Sequence, residues 1–343
     1  MVTASPLRIV FFGTPDFAVP TVDALLRSPH AVVGVVTQPD RPRGRGHRTT
    51  GGPVKARAID AGLPVLQPDR LRDDAFLAAL RGLGADLGVV AAYGKILTEA
   101  VLTTPRLGMI NVHASLLPRY RGAAPVHRAI IAGERETGVT IMRVVKALDA
   151  GPMLAKVTRP IGVDETSDEV EADLARIGAE LLASTVDALA AGRASETPQD
   201  EALATYAARL TKEEGLIDWS EPADRIHNLI RGLHPWPHAF TFLHAKRLIL
   251  LRSVAPDPSP ARAPRRSDPD QTSIRLQSDP SHTSVTVRTG VIVEAAGDRL
   301  VVATGSGPLQ IRELQAEGKR PMTAREFLAG HRLTPGDRFS AAP

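Results

Sequence analysis

Three side chains in this chain of 343 residues make a specific chemical offer: an amide donor at Asn111, an imidazole at His113 and a carboxylate at Asp149. Acyl transfer to an amine needs those groups, because charge develops on a carbonyl oxygen while a proton leaves the attacking nitrogen. Asn111 and His113 lie two residues apart in the apolar run Gly108–His113, so on a strand both project from one face of a sheet. A histidine on an apolar strand is otherwise a hydrogen-bonded core residue. Here the run ends in Ser115-Leu116-Leu117-Pro118-Arg119-Tyr120-Arg121-Gly122, a loop whose proline and glycine fix its shape. Ligand sites of open α/β sheets lie at the carboxyl ends of strands, where His113 falls. Asp149, in the turn Asp149-Ala150-Gly151, also follows a strand pattern and is expected at the same crevice.

The elements that must position this trio alternate over the first 190 or so residues. Strands are expected at Leu7–Phe12, Ala31–Thr37, Val65–Gln67, Leu87–Ala91, Gly108–His113 and Val139–Val144. Between them fall helices at Asp16–Leu26, Val54–Ala61, Asp73–Arg81 and Pro125–Ala132, the first with Thr14 as N-cap and Pro15 at its first position. The strands are nearly continuous apolar runs, the pattern of a doubly wound, mostly parallel α/β sheet of Rossmann-like type covered on both faces. A long helix is expected from Ser167 to Ala191, opened by a Thr166/Glu169 capping box. The expected domains are 1–192, a linker over 193–210, and a smaller C-terminal β-barrel (OB-like) over 211–343. Residues 255–284, rich in Pro, Ser, Asp and Arg, read as an inserted mobile loop.

Composition excludes several classes of chemistry. There is no cysteine, so disulfides, thiolate catalysis and Cys-type zinc sites are ruled out. No His-Glu-x-x-His spacing joins the ten histidines, and no metal is expected. The turn Gly13-Thr14-Pro15-Asp16 sits where a dinucleotide fold holds phosphate, but the Gly-x-Gly-x-x-Gly pattern is missing and Asp16 would repel an anion. The first strand begins almost at the N-terminus, and no window of about 18 apolar residues occurs. A cytoplasmic protein without membrane contact is expected, and a monomer.

A basic segment follows the second strand. Arg41, Arg43, Arg45, Arg48, Lys55 and Arg57 stand against Asp40 alone, a local charge of +5 in a chain whose net charge is +4. Gly44, Gly46, Gly51 and Gly52 make it pliable, with no acidic partners apparent. Such a loop is either a solvated surface or a salt-sensitive clamp on nucleic-acid phosphates.

These motifs together resemble the folate-dependent formyltransferases, which include glycinamide ribonucleotide transformylase. The wider signature is Asn111 and His113, the Leu116–Gly122 loop and Asp149. A narrower likeness, to the branch that formylates methionyl-tRNA, rests on Phe12–Ala18, Thr37–Pro42 with its basic loop, Pro53–Lys55, Lys212–Trp219, Pro235–Pro237 and Gly318–Met322. The resemblance spans nearly the whole chain; only Asp257–Ser284 is longer than the family pattern. It implies a formyltransferase fold and formyl transfer from 10-formyltetrahydrofolate to the α-amino group of initiator methionyl-tRNA. It further implies catalysis by Asn111, His113 and Asp149, folate contacts at Tyr93, Gly94, Ser115, Leu116, Leu117 and Pro118, and tRNA contacts at Arg41, Arg43, Arg45, Arg48 and Lys212. Two alternatives stay open: a formyltransferase for a small amine, and a non-enzymatic RNA-binding protein that keeps an inactive α/β domain.

Overall fold

The computed structural model describes residues 5–43, 48–255, 271–274 and 285–342. By its internal contacts the chain forms two compact units. The first comprises Met1–Pro125, Glu136–Pro160 and Val170–Ala208; the second comprises Val126–Arg135, Ile161–Glu169 and Arg209–Pro343.

The first unit is built on a seven-stranded sheet. Its strands are β1 (Arg8–Gly13), β2 (Ala31–Val36), β3 (Val65–Leu66), β4 (Leu87–Ala91), β5 (Met109–His113), β6 (Glu136–Arg143) and β7 (Met153–Pro160). Their order is β7-β6-β5-β4-β1-β2-β3. The first five strands run parallel, β6 pairs antiparallel with β5, and the edge strand β7 pairs antiparallel with β6 and so runs in the direction of the parallel block. Ile9 to Phe12 and Leu87 to Ala91 are buried, as strands covered on both faces require. Helices α1 (Val19–Arg27), α2 (Pro53–Asp60) and α3 (Asp74–Gly82) supply part of that cover. Chain order reverses between β1 and β4, so a crevice opens at their carboxyl ends beside β5.

Two local expectations fail for identifiable reasons. Thr14 does not cap a helix: its hydroxyl accepts from the Gln38 amide N–H, and a 3₁₀ turn over Asp16–Ala18 precedes α1. Strand β7 is absent from the sequence reading because it is an edge strand whose residues are half-buried or exposed. Its pairing depends on Gly138, where a Cβ would fall 2.0 Å from the Val157 carbonyl oxygen. Any side chain there would force β6 and β7 apart.

The second unit carries an antiparallel sheet of β8 (Ala239–Leu243), β9 (Lys246–Val254), β10 (Ile292–Ala296), β11 (Arg299–Ala303) and β12 (Pro308–Ala316), ordered β8-β9-β12-β11-β10. The C-terminal tail bridges the two edges: Ser340 pairs with Phe242 of β8, and the Ile292 N–H of β10 donates to the Asp337 carbonyl. That tie gives the sheet its small barrel-like form. Its core gathers Trp219, Ile226, Ile230, Leu250, Leu300, Ile311, Phe327 and Phe339. The Trp219 indole stacks on Phe339 and donates to Thr241 Oγ1 at 3.0 Å. The expected loop over 255–284 is interrupted by a strand, Gln271–Ile274, paired with Val285–Arg288; residues 256–270 and 275–284 lie outside the described set.

A long helix, Ser167–Ala190, runs as expected. Its N-terminal box is half formed, because Glu169 reaches back to the Thr166 N–H while the Thr166 hydroxyl donates to Asp168. The other carboxylate oxygen of Glu169 accepts from Arg252 Nη2 at 2.6 Å. The Arg252 guanidinium, then the Thr166 N–H, hold the Glu169 carboxyl down at about 2, against 4.5 for an unperturbed glutamate. A depressed folded pKa contributes stability that is complete above about pH 4.5 and lost as pH falls toward 2. Glu169→Gln is therefore expected to lower the melting temperature above pH 5, with the gap to the parent closing by pH 2; a gap independent of pH in thermal melts would contradict this.

Candidate active site

Asn111 and His113 occupy the same face of β5, opposite Met142 and Thr140 of β6. The trio expected from sequence converges: His113 Nδ1 lies 3.8 Å from Asp149 Oδ2, both side chains largely buried. The ring's other nitrogen, Nε2, is 2.9 Å from the Tyr120 carbonyl oxygen. A carbonyl only accepts, so Nε2 carries hydrogen and Nδ1 is the nitrogen free to gain or lose a proton. Tyr120 presents that carbonyl from a left-handed backbone with φ of 60°, and its own N–H donates to Thr205 Oγ1 at 2.8 Å.

Asp149 also has positive φ, 49°, in the loop after β6. Its Oδ2 accepts from the Gly122 N–H at 2.9 Å. Gly122 meets this need with φ of 115°, where a Cβ would sit 2.8 Å from the Ala207 carbonyl. The Asn111 amide is half-buried and makes no hydrogen bond to another described residue, leaving its N–H groups for a ligand.

The loop from Ser115 to Gly122 is tied to β6 and β7 by hydrogen bonds. Thr140 Oγ1 donates to the Ser115 carbonyl at 2.7 Å and accepts from the Leu117 N–H at 3.1 Å, while Lys156 Nζ donates to the Leu117 carbonyl at 3.0 Å. Of the folate-wall residues expected from sequence, Ser115 and Leu117 point into the protein, and Leu116 and Pro118 are half-exposed. Tyr93 is 2% exposed, set edge-on against Phe12, and burial pushes its phenol up to about 12. The structure thus gives Tyr93 a core side chain; its carbonyl accepts from Gln38 Nε2, and Gly94 follows at φ of 81°.

Sequence reasoning missed the support beneath Asp149. Arg121 is 1% exposed. Its guanidinium donates to Gln199 Oε1 at 3.0 and 2.8 Å and to both carboxylate oxygens of Glu201 at 2.9 and 2.7 Å. Gln199 Nε2 in turn donates to the Asp149 and Gly151 carbonyls at 2.7 and 2.8 Å. Arg121 was visible in the loop motif, but its partners are 78 and 80 residues away, beyond any local pattern.

The basic segment is less free than its composition suggests. Lys55 pairs with Asp40, whose carboxyl is lowered by Lys55 and then by Gln67, and Arg57 pairs with Asp23. The expected absence of acidic partners is therefore corrected for two of six cations. Of the remaining arginines, Arg41, Arg43 and Arg48 lie on the paired strands Arg41–Arg43 and Arg48–Thr50, in which Arg43 opposes Arg48; Arg45 lies outside the described residues. Lys212 is exposed, next to Glu213 and Glu214. Among the described residues no group of three or more His, Asp or Glu side chains converges as a metal site.

Comparison with known proteins bears directly on this geometry. The formyl transferase family matches residues 7–186, and the formyl transferase C-terminal domain matches residues 209–332. Methionyl-tRNA formyltransferase of Moorella thermoacetica is 44% identical over 331 residues, 96% of this chain and 98% of its own. That of Citrifermentans bemidjiense is 47% identical over 330 residues, 96% of this chain and 95% of its own. Among solved structures the fold is similar to WlaRD, a sugar 3N-formyl transferase, with a TM-score of 0.63 at 14% identity over 92% of this chain and 100% of that one. It is also similar to HypX from Aquifex aeolicus, with a TM-score of 0.62 at 16% identity over 96% of this chain and 49% of that one. Likeness at this level, running from the β5 trio through the C-terminal barrel, makes the chain a member of the methionyl-tRNA formyltransferase family.

Proposed function

We propose that this protein moves a formyl group from 10-formyltetrahydrofolate to the α-amino group of methionine esterified to initiator tRNA, in the cytoplasm and as a monomer. The observation that carries the proposal is the 3.8 Å approach of His113 Nδ1 to Asp149 on the face of β5 that also bears Asn111, in a chain alike from end to end to methionyl-tRNA formyltransferases.

The chemistry follows from the atoms available. A neutral amine attacks the formyl carbon and negative charge grows on the formyl oxygen. The Asn111 amide donates to that oxygen, and protonated Nδ1 of His113 is a second donor in reach of the same crevice. Asp149, at a separation from Nδ1 that a water molecule can bridge, accepts or relays the proton leaving the amine. The proton finishes on the folate nitrogen that departs. Because Nε2 is held by Tyr120, the ring takes part only through Nδ1.

Leu116 and Pro118 offer apolar surface to the pterin, and backbone at Tyr93-Gly94 and Ser115–Pro118 offers polar edges. Arg41, Arg43, Arg45 and Arg48 are assigned to the acceptor stem, and Lys212 with the C-terminal barrel over 211–343 to the tRNA backbone. A small-amine formyltransferase would share the trio, and the barrel does not separate the two readings, since the fold of a sugar formyl transferase extends over 92% of this chain; the basic segment and the 44–47% identity to methionyl-tRNA formyltransferases favour tRNA. Charged initiator tRNA and the folate donor, incubated with the protein and followed by mass analysis of the aminoacyl end, separate the two.

Asn111→Ala and His113→Ala are each expected to lower turnover at least about a hundredfold while leaving the melting temperature near that of the parent. Parental formylation rates in either purified variant would remove the trio from catalysis. Arg43→Ala combined with Arg48→Ala is expected to raise the Michaelis constant for tRNA and to flatten its dependence on salt by roughly 0.9 in logarithmic slope per lost phosphate contact. An unchanged slope would reduce the hairpin to a solvated loop.

A further inference from the structure

We infer that Arg121 and Gln199 form a positioning clamp that sets the Asp149 carboxylate against His113, an inference that rests on the catalytic reading of the trio. Asp149 occupies a left-handed backbone that disfavours an ordinary side chain by about 1–2 kcal/mol, so something must hold the turn in place. Gln199 does so with both hydrogens of its amide, one to the Asp149 carbonyl and one to the Gly151 carbonyl. Its orientation has no freedom. The Oε1 end receives two N–H groups from Arg121, and the Nε2 end faces two carbonyl oxygens, so a rotated amide would clash electrostatically at both ends.

Arg121 is held from the far side by Glu201 and from its own backbone, whose N–H donates to the Thr205 carbonyl. The next residue, Gly122, gives its N–H directly to Asp149 Oδ2. Two adjacent residues of one loop therefore control the aspartate by separate routes, the backbone of 149–151 through Gln199 and the carboxylate through Gly122. Neither Arg121 nor Gln199 makes the 3.8 Å contact with the imidazole; they act on its geometry. A displacement of about 1 Å at such a site is sufficient to cost up to about a hundredfold in rate.

Gln199→Glu separates positioning from simple support. Glutamate keeps an acceptor for Arg121, so the buried guanidinium stays paired and the protein folds, but it has no hydrogens for the Asp149 and Gly151 carbonyls. The clamp predicts that kcat falls about ten- to hundredfold with the Michaelis constants for folate and tRNA within about twofold of the parent. It also predicts faster hydrogen exchange at the Gly122 amide, read by NMR, and the same two effects in Gln199→Ala. Parental kcat and Gly122 exchange in Gln199→Glu would overturn the inference and leave Gln199 as a mere acceptor for Arg121. Formyl transfer absent from the parent protein would instead defeat the functional reading, while the Gly122 exchange rate would still test the clamp.

Discussion

The hydrogen bond from His113 Nε2 to the Tyr120 carbonyl decides which nitrogen of the ring can do chemistry, and much of the first unit serves to place its two ends. The ring comes from the last residue of β5, whose register against β4 and β6 fixes its height and face. The carbonyl comes from a loop that would not hold φ of 60° at Tyr120 alone. Thr205 ties down the Tyr120 N–H, and the short strand Tyr206–Ala207 pairs with Arg121–Gly122, so residues far along the chain close the loop. With Nε2 committed, Nδ1 faces Asp149 Oδ2 at 3.8 Å, too long for a direct hydrogen bond and short enough for a water to bridge.

Close packing of backbone against backbone makes this possible. Gly138 lets the edge strand β7 approach β6, and Lys156 of β7 then reaches the Leu117 carbonyl. Gly122 lets the loop approach Ala207 while presenting an N–H to Asp149. Glycine serves at both points because a Cβ would meet a carbonyl oxygen within 3 Å. The chemical groups are polar, but steric access sets where they lie.

Much of this was legible in the residues. The parallel strands β1, β2, β4 and β5 announce themselves as apolar runs, since burial on both faces leaves no other composition. The shared face of Asn111 and His113 follows from the two-residue period of a strand, and the nearness of Asp149 from its place after another. What stayed hidden is what depends on long-range contact. The edge strand β7 has neither a continuous nor an alternating apolar signal; the roles of Arg121, Gln199 and Glu201 exist only once residues 78 and 80 apart in sequence meet. Thr14 looked like a cap because its own sequence neighbourhood allows one, yet Gln38 claims its hydroxyl. The family resemblance brings the Tyr93-Gly94 turn near the folate, and no local pattern tells that the Tyr93 ring itself lies in the core.

The pairing of Lys55 with Asp40 and of Arg57 with Asp23 gives the arginine hairpin an electrically neutral footing. Two of the basic segment's six cations are thereby neutralised by contact, and its excess of basic charge rests on the arginines at 41, 43, 45 and 48. Exchanging Asp40 or Asp23 for a neutral residue would therefore add a positive charge to this part of the surface without touching Asn111, His113 or Asp149.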